Sequence, residues 1–184
     1  NYGGDLAIGA YGIINSIAFT FVMIILGLTQ GMQPIIGYNY GAKLQHRVLS
    51  TLKKGMIAGF VITTIGFLVA ELCPRLIASA FTNDEEMINL SITGFRLFML
   101  AFPIVGMQIV ASNFFQAIGK AKIAIFLSLT RQLLFLIPAL YLIPLILELN
   151  GVWLSTAVAD FLSAFVSLWV LVASIKKMKK EISL

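Results

Sequence analysis

Five long apolar runs, roughly 6–40, 55–80, 88–117, 122–147 and 151–175, occupy most of the chain. Each reaches or exceeds the ~20 apolar residues that a helix needs to cross a bilayer. None alternates polar and apolar positions with a period of two, as a strand of a membrane barrel would. The pattern therefore predicts an all-α membrane protein of five transmembrane helices. The first run is interrupted by Gln30, Gln33 and Pro34, within the stretch Gln30 to Lys43. Amides three residues apart share one face of a helix. Lipid cannot satisfy them, so this face is expected to look into a protein bundle or a watery cavity, as in a transport pathway.

The gaps between the runs give an orientation. The first holds Lys43, Arg47, Lys53 and Lys54, the third Lys120 and Lys122, and the tail Lys176, Lys177, Lys179 and Lys180; the second and fourth hold no Lys or Arg. By the positive-inside rule the basic gaps and the C-terminal tail are cytoplasmic, in a protein integral to the plasma (inner) membrane. The net charge of +5 would point to nucleic acid in a soluble protein, but this placement accounts for it without a nucleic-acid partner. With 59% hydrophobic residues, 11% charged residues and a mean hydropathy of +0.96, the chain has more apolar surface than a soluble domain could cover. An odd number of spans, an outside start and Asn1 in place of methionine suggest a piece of a longer protein. Asn83 to Glu86 and Glu148 to Gly151 carry cap-type residues and are expected to form tight outer hairpins. The lone Cys73 has no partner for a disulfide or a metal site and is assigned to packing.

All five prolines fall within the runs, where each is expected to remove a backbone hydrogen bond and bend its helix. Gly27 with Gly31, and Gly55 with Gly59, are small residues four apart that suit close helix packing. Depth can be counted at 1.5 Å per residue. Asp160 and Arg96 come out at similar levels on the outer side, whereas Arg131 and Asp160 differ by about 10 Å when counted from a hairpin at residues 148–150. Arg96–Asp160 thus matches better in depth than Arg131–Asp160, which needs the helix to bend at Pro138 or Pro144, and Glu71–Arg75 at i,i+4 can pair within one helix. Asp160 is a candidate cation- or proton-coupling carboxylate, or alternatively one half of a structural salt bridge. Arg131 either lines a path or holds the bundle together. Asn15, Gln30, Gln33, Asn113 and Gln116 are further pathway candidates, and each could instead bond helix to helix. The same holds for Gln132. No enzyme signature is present: the sequence has no His-Glu-x-x-His, Gly-x-Ser-x-Gly or Walker-type loop, and its one histidine, His46, falls in a basic loop.

The run Gln30 to Ala42, the loop Ala117 to Lys122, Ser128-Leu129-Thr130-Arg131-Gln132 with Pro138, and Gly151-Val152-Trp153 leading to Ala159-Asp160 resemble the multidrug and toxic compound extrusion (MATE) family. The resemblance implies that the chain is most of one six-helix lobe of a twelve-helix transporter: helices eight to twelve, without the C-terminal lobe's first helix and without the N-terminal lobe. It further implies a non-enzymatic antiporter that exports small organic cations in exchange for protons or sodium by alternating access. Such a protein needs no cofactor, sits in membrane lipid, and uses the N-terminal lobe of the same protein as its opposing wall. One branch of the family binds sodium through an acidic residue in the tenth helix, and Pro103 to Gln108 holds none. Two alternatives stay open: a lipid-linked oligosaccharide flippase of the same superfamily, which should line its cavity with several Arg and Lys, and a non-transporting membrane assembly subunit.

Overall fold

A computed structural model describes residues 4–182, and all the regular structure among them is helical. Helix α1 (Gly4–Gly41) turns through Ala42–Leu44 into α2 (Gln45–Leu72). The basic stretch expected as a loop is therefore mostly the first turns of α2, whose Arg47, Lys53 and Lys54 side chains are exposed. Long cationic side chains can reach water from a helix end, so the helix need not stop where the charges begin.

Helix α2 ends because Pro74 excludes helical backbone at the residue before it. Cys73 accordingly has φ −127° and ψ 38°, and the short α3 (Pro74–Ser79) starts on the proline. Cys73 itself is exposed rather than packed. Helix α4 (Glu85–Phe98) begins at the expected outer cap, where Asp84 Oδ1 accepts from the N–H groups of Glu86 (2.9 Å) and Met87 (3.2 Å).

The third span is broken. Helices α4 and α5 (Phe102–Ala117) are bent by 54° across Met99–Ala101. The Thr63 hydroxyl of α2 reaches the break, 2.9 Å from the Pro103 carbonyl while also 2.8 Å from that of Gly59. The fourth span starts as α6 (Ala121–Leu129), widens into a π-helical segment at Thr130–Leu136 and continues as α7 (Ile137–Leu142). Pro138, just beyond the wide segment, lacks an N–H and crowds the preceding turn, which is a physical cause for the local change in winding.

Helix α8 (Pro144–Ile182) completes the chain, with one non-helical residue, Glu148 (φ 49°, ψ −128°). The hairpin thus runs through Ile143–Glu148 rather than 148–151. Gly151 closes it: a Cβ there would lie 2.7 Å from the Ile143 carbonyl oxygen. Pro74, Pro103 and Pro144 stand at helix starts, where a missing N–H costs nothing. Pro34 and Pro138 lie within helical spans that continue on both sides, so the expectation of a proline acting inside its helix applies to these two and not to the three at helix starts.

Two apolar clusters hold the bundle together. One joins Ile36, Val48, Phe115, Ile118, Leu127 and Met178, which gathers the α1–α2 turn, the α5–α6 turn and the end of α8 at one end of the bundle. The other joins Ile13, Ala70, Phe95, Phe98 and Phe102 toward the opposite end. Helix α2 packs along α5, as its glycine pair suggested: a Cβ on Gly59 would lie 3.0 Å from the Gly106 carbonyl oxygen. Gly27 and Gly31 face nothing within 4 Å among the described residues. Four helices are long and apolar enough to span a membrane, and the bent α4–α5 pair supplies a fifth span.

Candidate functional site

Helices α1, α5, α6, α8 and the π segment enclose a cleft of about 450 Å³, within the range of small-molecule sites. Its apolar wall is formed by Val22, Leu26, Val105, Ile109 and Leu127, and its polar wall by residues of α5 and the fourth span. Gln108, Ser112 and Gln116 recur on α5 at i, i+4 and i+8, so one face of that helix carries the polar lining. Asn113 stands beside them and lies 3.4 Å from the Gln33 amide nitrogen, a long contact from α1. Ser128, Arg131 and Gln132 face them across the cleft.

Arg131 is the one charged residue of the lining. Its Nε donates to Asp160 Oδ1 at 2.6 Å. The Arg131 side chain is 36% exposed and that of Asp160 6%. Asp160, on α8, is thus buried beside Arg131 and outside the lining, while Arg131 borders the cleft. Gln108 links the same region: its Nε2 donates to Ser163 Oγ (2.9 Å), which donates to the Asp160 backbone carbonyl (3.1 Å). Gln108 Oε1 and Ser167 Oγ are buried without a hydrogen-bond partner among the described residues. Polar atoms of this kind are costly unless solvent or a ligand reaches them.

The pairing differs from the one expected. Depth counted from a hairpin at 148–150 separated Arg131 from Asp160, but the hairpin lies at Ile143–Glu148. Arg131 is twelve residues before Ile143 (143 − 131) and Asp160 twelve after Glu148 (160 − 148), so the two stand level. Arg96 instead faces Glu71 at 3.7 Å. The expected Glu71–Arg75 pair does not form: the break at Cys73–Pro74 spoils the i,i+4 register, and Arg75 bonds both Glu85 oxygens at 2.9 and 2.8 Å.

Of the residues singled out in the sequence, Asn113, Gln116, Arg131 and Gln132 line the cleft. Gln33 sits at its edge through Asn113, and Asp160 stands beside Arg131. Asn15 and Gln30 are not part of it; both are exposed on the outer face of α1. The two amides of Gln30 and Gln33 therefore part ways. Sequence reasoning passed over Gln108, Ser112, Ser128 and Ser167. The periodicity on α5, and the Asp160, Ser163, Ser167 series at i, i+3 and i+7 on α8, was the signal that could have found them. Among the described residues no group of three His, Cys, Asp or Glu could hold a metal ion.

A bundle of membrane-spanning helices, broken at prolines and enclosing a cleft with one polar wall, defines a polytopic helical membrane protein of transporter type. The sequence profile described as MatE matches residues 1–142, and the chain belongs to that family, whose members are transporters rather than enzymes. The multidrug export protein MepA of Staphylococcus haemolyticus is 25% identical over 167 residues, covering 91% of this chain and 36% of that protein. The structure of the MATE multidrug transporter DinF-BH, solved in complex with a ligand, superposes with a TM-score of 0.82 at 35% identity, over 93% of this chain and 38% of the transporter. An outward-facing structure of a MATE family transporter gives a TM-score of 0.90 at 20% identity, over 97% of this chain and 41% of that one. The chain thus spans little more than a third of the length of the relatives it matches.

Proposed function

We propose that the full-length protein is a multidrug exporter of the plasma (inner) membrane that drives small organic cations outward in exchange for protons or sodium, with this chain forming most of its C-terminal lobe. The cleft carries this reading. It is of drug size, its walls are apolar and aromatic-free at the polar side, its hydrogen-bonding groups are amides and hydroxyls, and its only charge is neutralised by Asp160. Asp160 is the coupling carboxylate in this scheme: it stands one side chain from the cleft and exchanges its partnership with Arg131 for a proton or a sodium ion.

Alternating access needs an opposing wall, and the outer face of α1 suits one. Among exposed apolar residues such as Ile8, Phe19, Ile24 and Ile35 it also exposes Gly12, Asn15, Ser16, Thr20, Gln30 and Gly31, whereas the middle of α2 exposes Ile57, Phe60, Val61, Ile65, Leu68 and Leu72. Pro34 has no N–H, so the helix ladder also leaves the Gln30 carbonyl without its usual donor. Small and polar residues of this kind meet protein or water rather than acyl chains. The N-terminal lobe is the proposed occupant. The clustering of the α1–α2 turn, the α5–α6 turn and the end of α8 at one end places their basic stretches together, which supports a cytoplasmic tail. A flippase for pyrophosphate-linked lipids is less well supported, because the cleft offers a single guanidinium where a pyrophosphate calls for several cations.

The test is efflux of ethidium from vesicles containing the full-length protein, driven by an imposed proton or sodium gradient. Equal rates with and without either gradient would overturn the exporter reading. Asp160→Asn is expected to slow efflux at normal abundance; wild-type rates in that variant would remove the coupling role.

A further inference from the structure

We propose that Arg131 anchors a carboxylate, or a comparable oxyanion group, on the cargo. The inference rests on the reading of the cleft as a cargo site. A guanidinium has five N–H donors in a fixed fork. Asp160 takes the Nε edge, and this is the only hydrogen bond of the Arg131 side chain among the described residues. The two terminal nitrogens, with four N–H donors, remain for the cleft that Arg131 lines. In this proposal Asp160, on α8, holds the Nε edge and leaves the terminal edge for the cargo. That edge matches a carboxylate in bidentate fashion.

The surroundings agree with this assignment. Hydroxyl and amide donors from Ser112, Asn113, Ser128 and Gln132 border the same space. No acidic residue lines the cleft, so the only formal charge it recognises directly is negative. A cationic portion of the cargo would rest against amides and apolar side chains, without a counter-charge of its own. Arg131 lies ten residues into the fourth span from Ala121, about 15 Å from that end of the helix. A lipid phosphate at the interface does not reach that depth, so the oxyanion belongs to a cargo molecule. Cargo that is zwitterionic, with a cation and a carboxylate on one aromatic body, is the class that satisfies both walls.

The experiment uses a matched pair of dyes, rhodamine 6G, which is a cationic ethyl ester, and its free acid, which carries a carboxylate at the same position. Binding of each to the purified full-length protein is followed by fluorescence anisotropy. The readout is the ratio of the two dissociation constants, ester over acid. In the Arg131→Gln/Asp160→Asn double variant, which replaces the ion pair with two amides and leaves no buried charge unpaired, the ratio is expected to fall by roughly 10-fold, the range of one charge-assisted hydrogen-bonded contact. In Asp160→Asn alone the fork keeps its charge and loses its competitor, so the ratio stays or rises. An unchanged ratio in the double variant, a reduced ratio in Asp160→Asn, or failure of the wild type to bind the free acid would overturn the anchor. Gradient-driven efflux of rhodamine 6G by the same preparations is a separate measurement. Loss of that efflux with the binding ratio intact would remove the exporter reading alone, and efflux with an unresponsive ratio would remove the anchor alone.

Discussion

Replacing Arg131 by Gln should destabilise the protein more than replacing Asp160 by Asn, and the two changes together should cost less than the sum of the single losses. The asymmetry follows from where each partner sits. Asp160 is 6% exposed at its side chain and depends on one ion pair for its charge, whereas Arg131 is 36% exposed and open to the cleft. Removing one member of a buried pair typically costs about 3–5 kcal/mol because the other charge is left behind. For Arg131→Gln we expect the lower end, about 3 kcal/mol, since the cleft admits some solvation. For Asp160→Asn the orphaned guanidinium can turn to the cleft, and about 1–2 kcal/mol is expected. The double variant leaves no unpaired charge and should lie within about 1 kcal/mol of the wild type, a coupling of roughly 3 kcal/mol between the sites. Thermal unfolding in detergent, followed by a thiol-reactive or intrinsic fluorophore, would read the three variants against the wild type. A larger loss in Asp160→Asn than in Arg131→Gln, or additive losses in the double variant, would refute the geometry from which the order is derived.

Two other changes probe the frame around the cleft. Gly106→Val should lower the melting temperature markedly, with a loss of at least ~2 kcal/mol, because its Cβ would meet the Gly59 backbone and the Thr63 hydroxyl across the α2–α5 contact; a melting point equal to that of the wild type would contradict that close approach. Thr63→Val should cost about 1 kcal/mol by removing the hydroxyl shared between the Gly59 and Pro103 carbonyls, and a melting curve superposable on the wild type would show that this tie does not stabilise the break between α4 and α5.

The membrane-spanning architecture was legible in the sequence because it depends on local composition: five apolar runs, alternating basic gaps and a cap at Asp84 each act over a few residues. The glycine pair Gly55 and Gly59 was legible for the same reason. The ion pair of the site was not. It depends on where one hairpin turns, and Glu148 takes a positive φ although it is not glycine, while Gly151, the residue that looked like the turn, serves instead to let Ile143 and Pro144 approach. An error of a few residues at the apex displaced Arg131 from Asp160 by several ångströms in the depth count. The bend of the third span was expected from Pro103, whereas its 54° size and the π-helical winding at Thr130–Leu136 were hidden, since prolines announce a disturbance without saying how far the helix bends or whether it widens or restarts. Asn15 and Gln30 were selected as polar residues in apolar helices, a criterion that finds every protein-facing surface and does not separate a cleft inside the lobe from the face the lobe turns outward.

The central claim, that the cleft between α1, α5 and the fourth span is the transport pathway, is tested most directly by thiol protection at Ser112. In the full-length protein with its native cysteines replaced, Cys73 included, a cysteine introduced by Ser112→Cys should react with a small maleimide, and saturating rhodamine 6G should slow that reaction while leaving a cysteine at the exposed start of α2, made by Ser50→Cys, unaffected. Reaction at Ser112→Cys that proceeds equally with and without the dye would contradict the account.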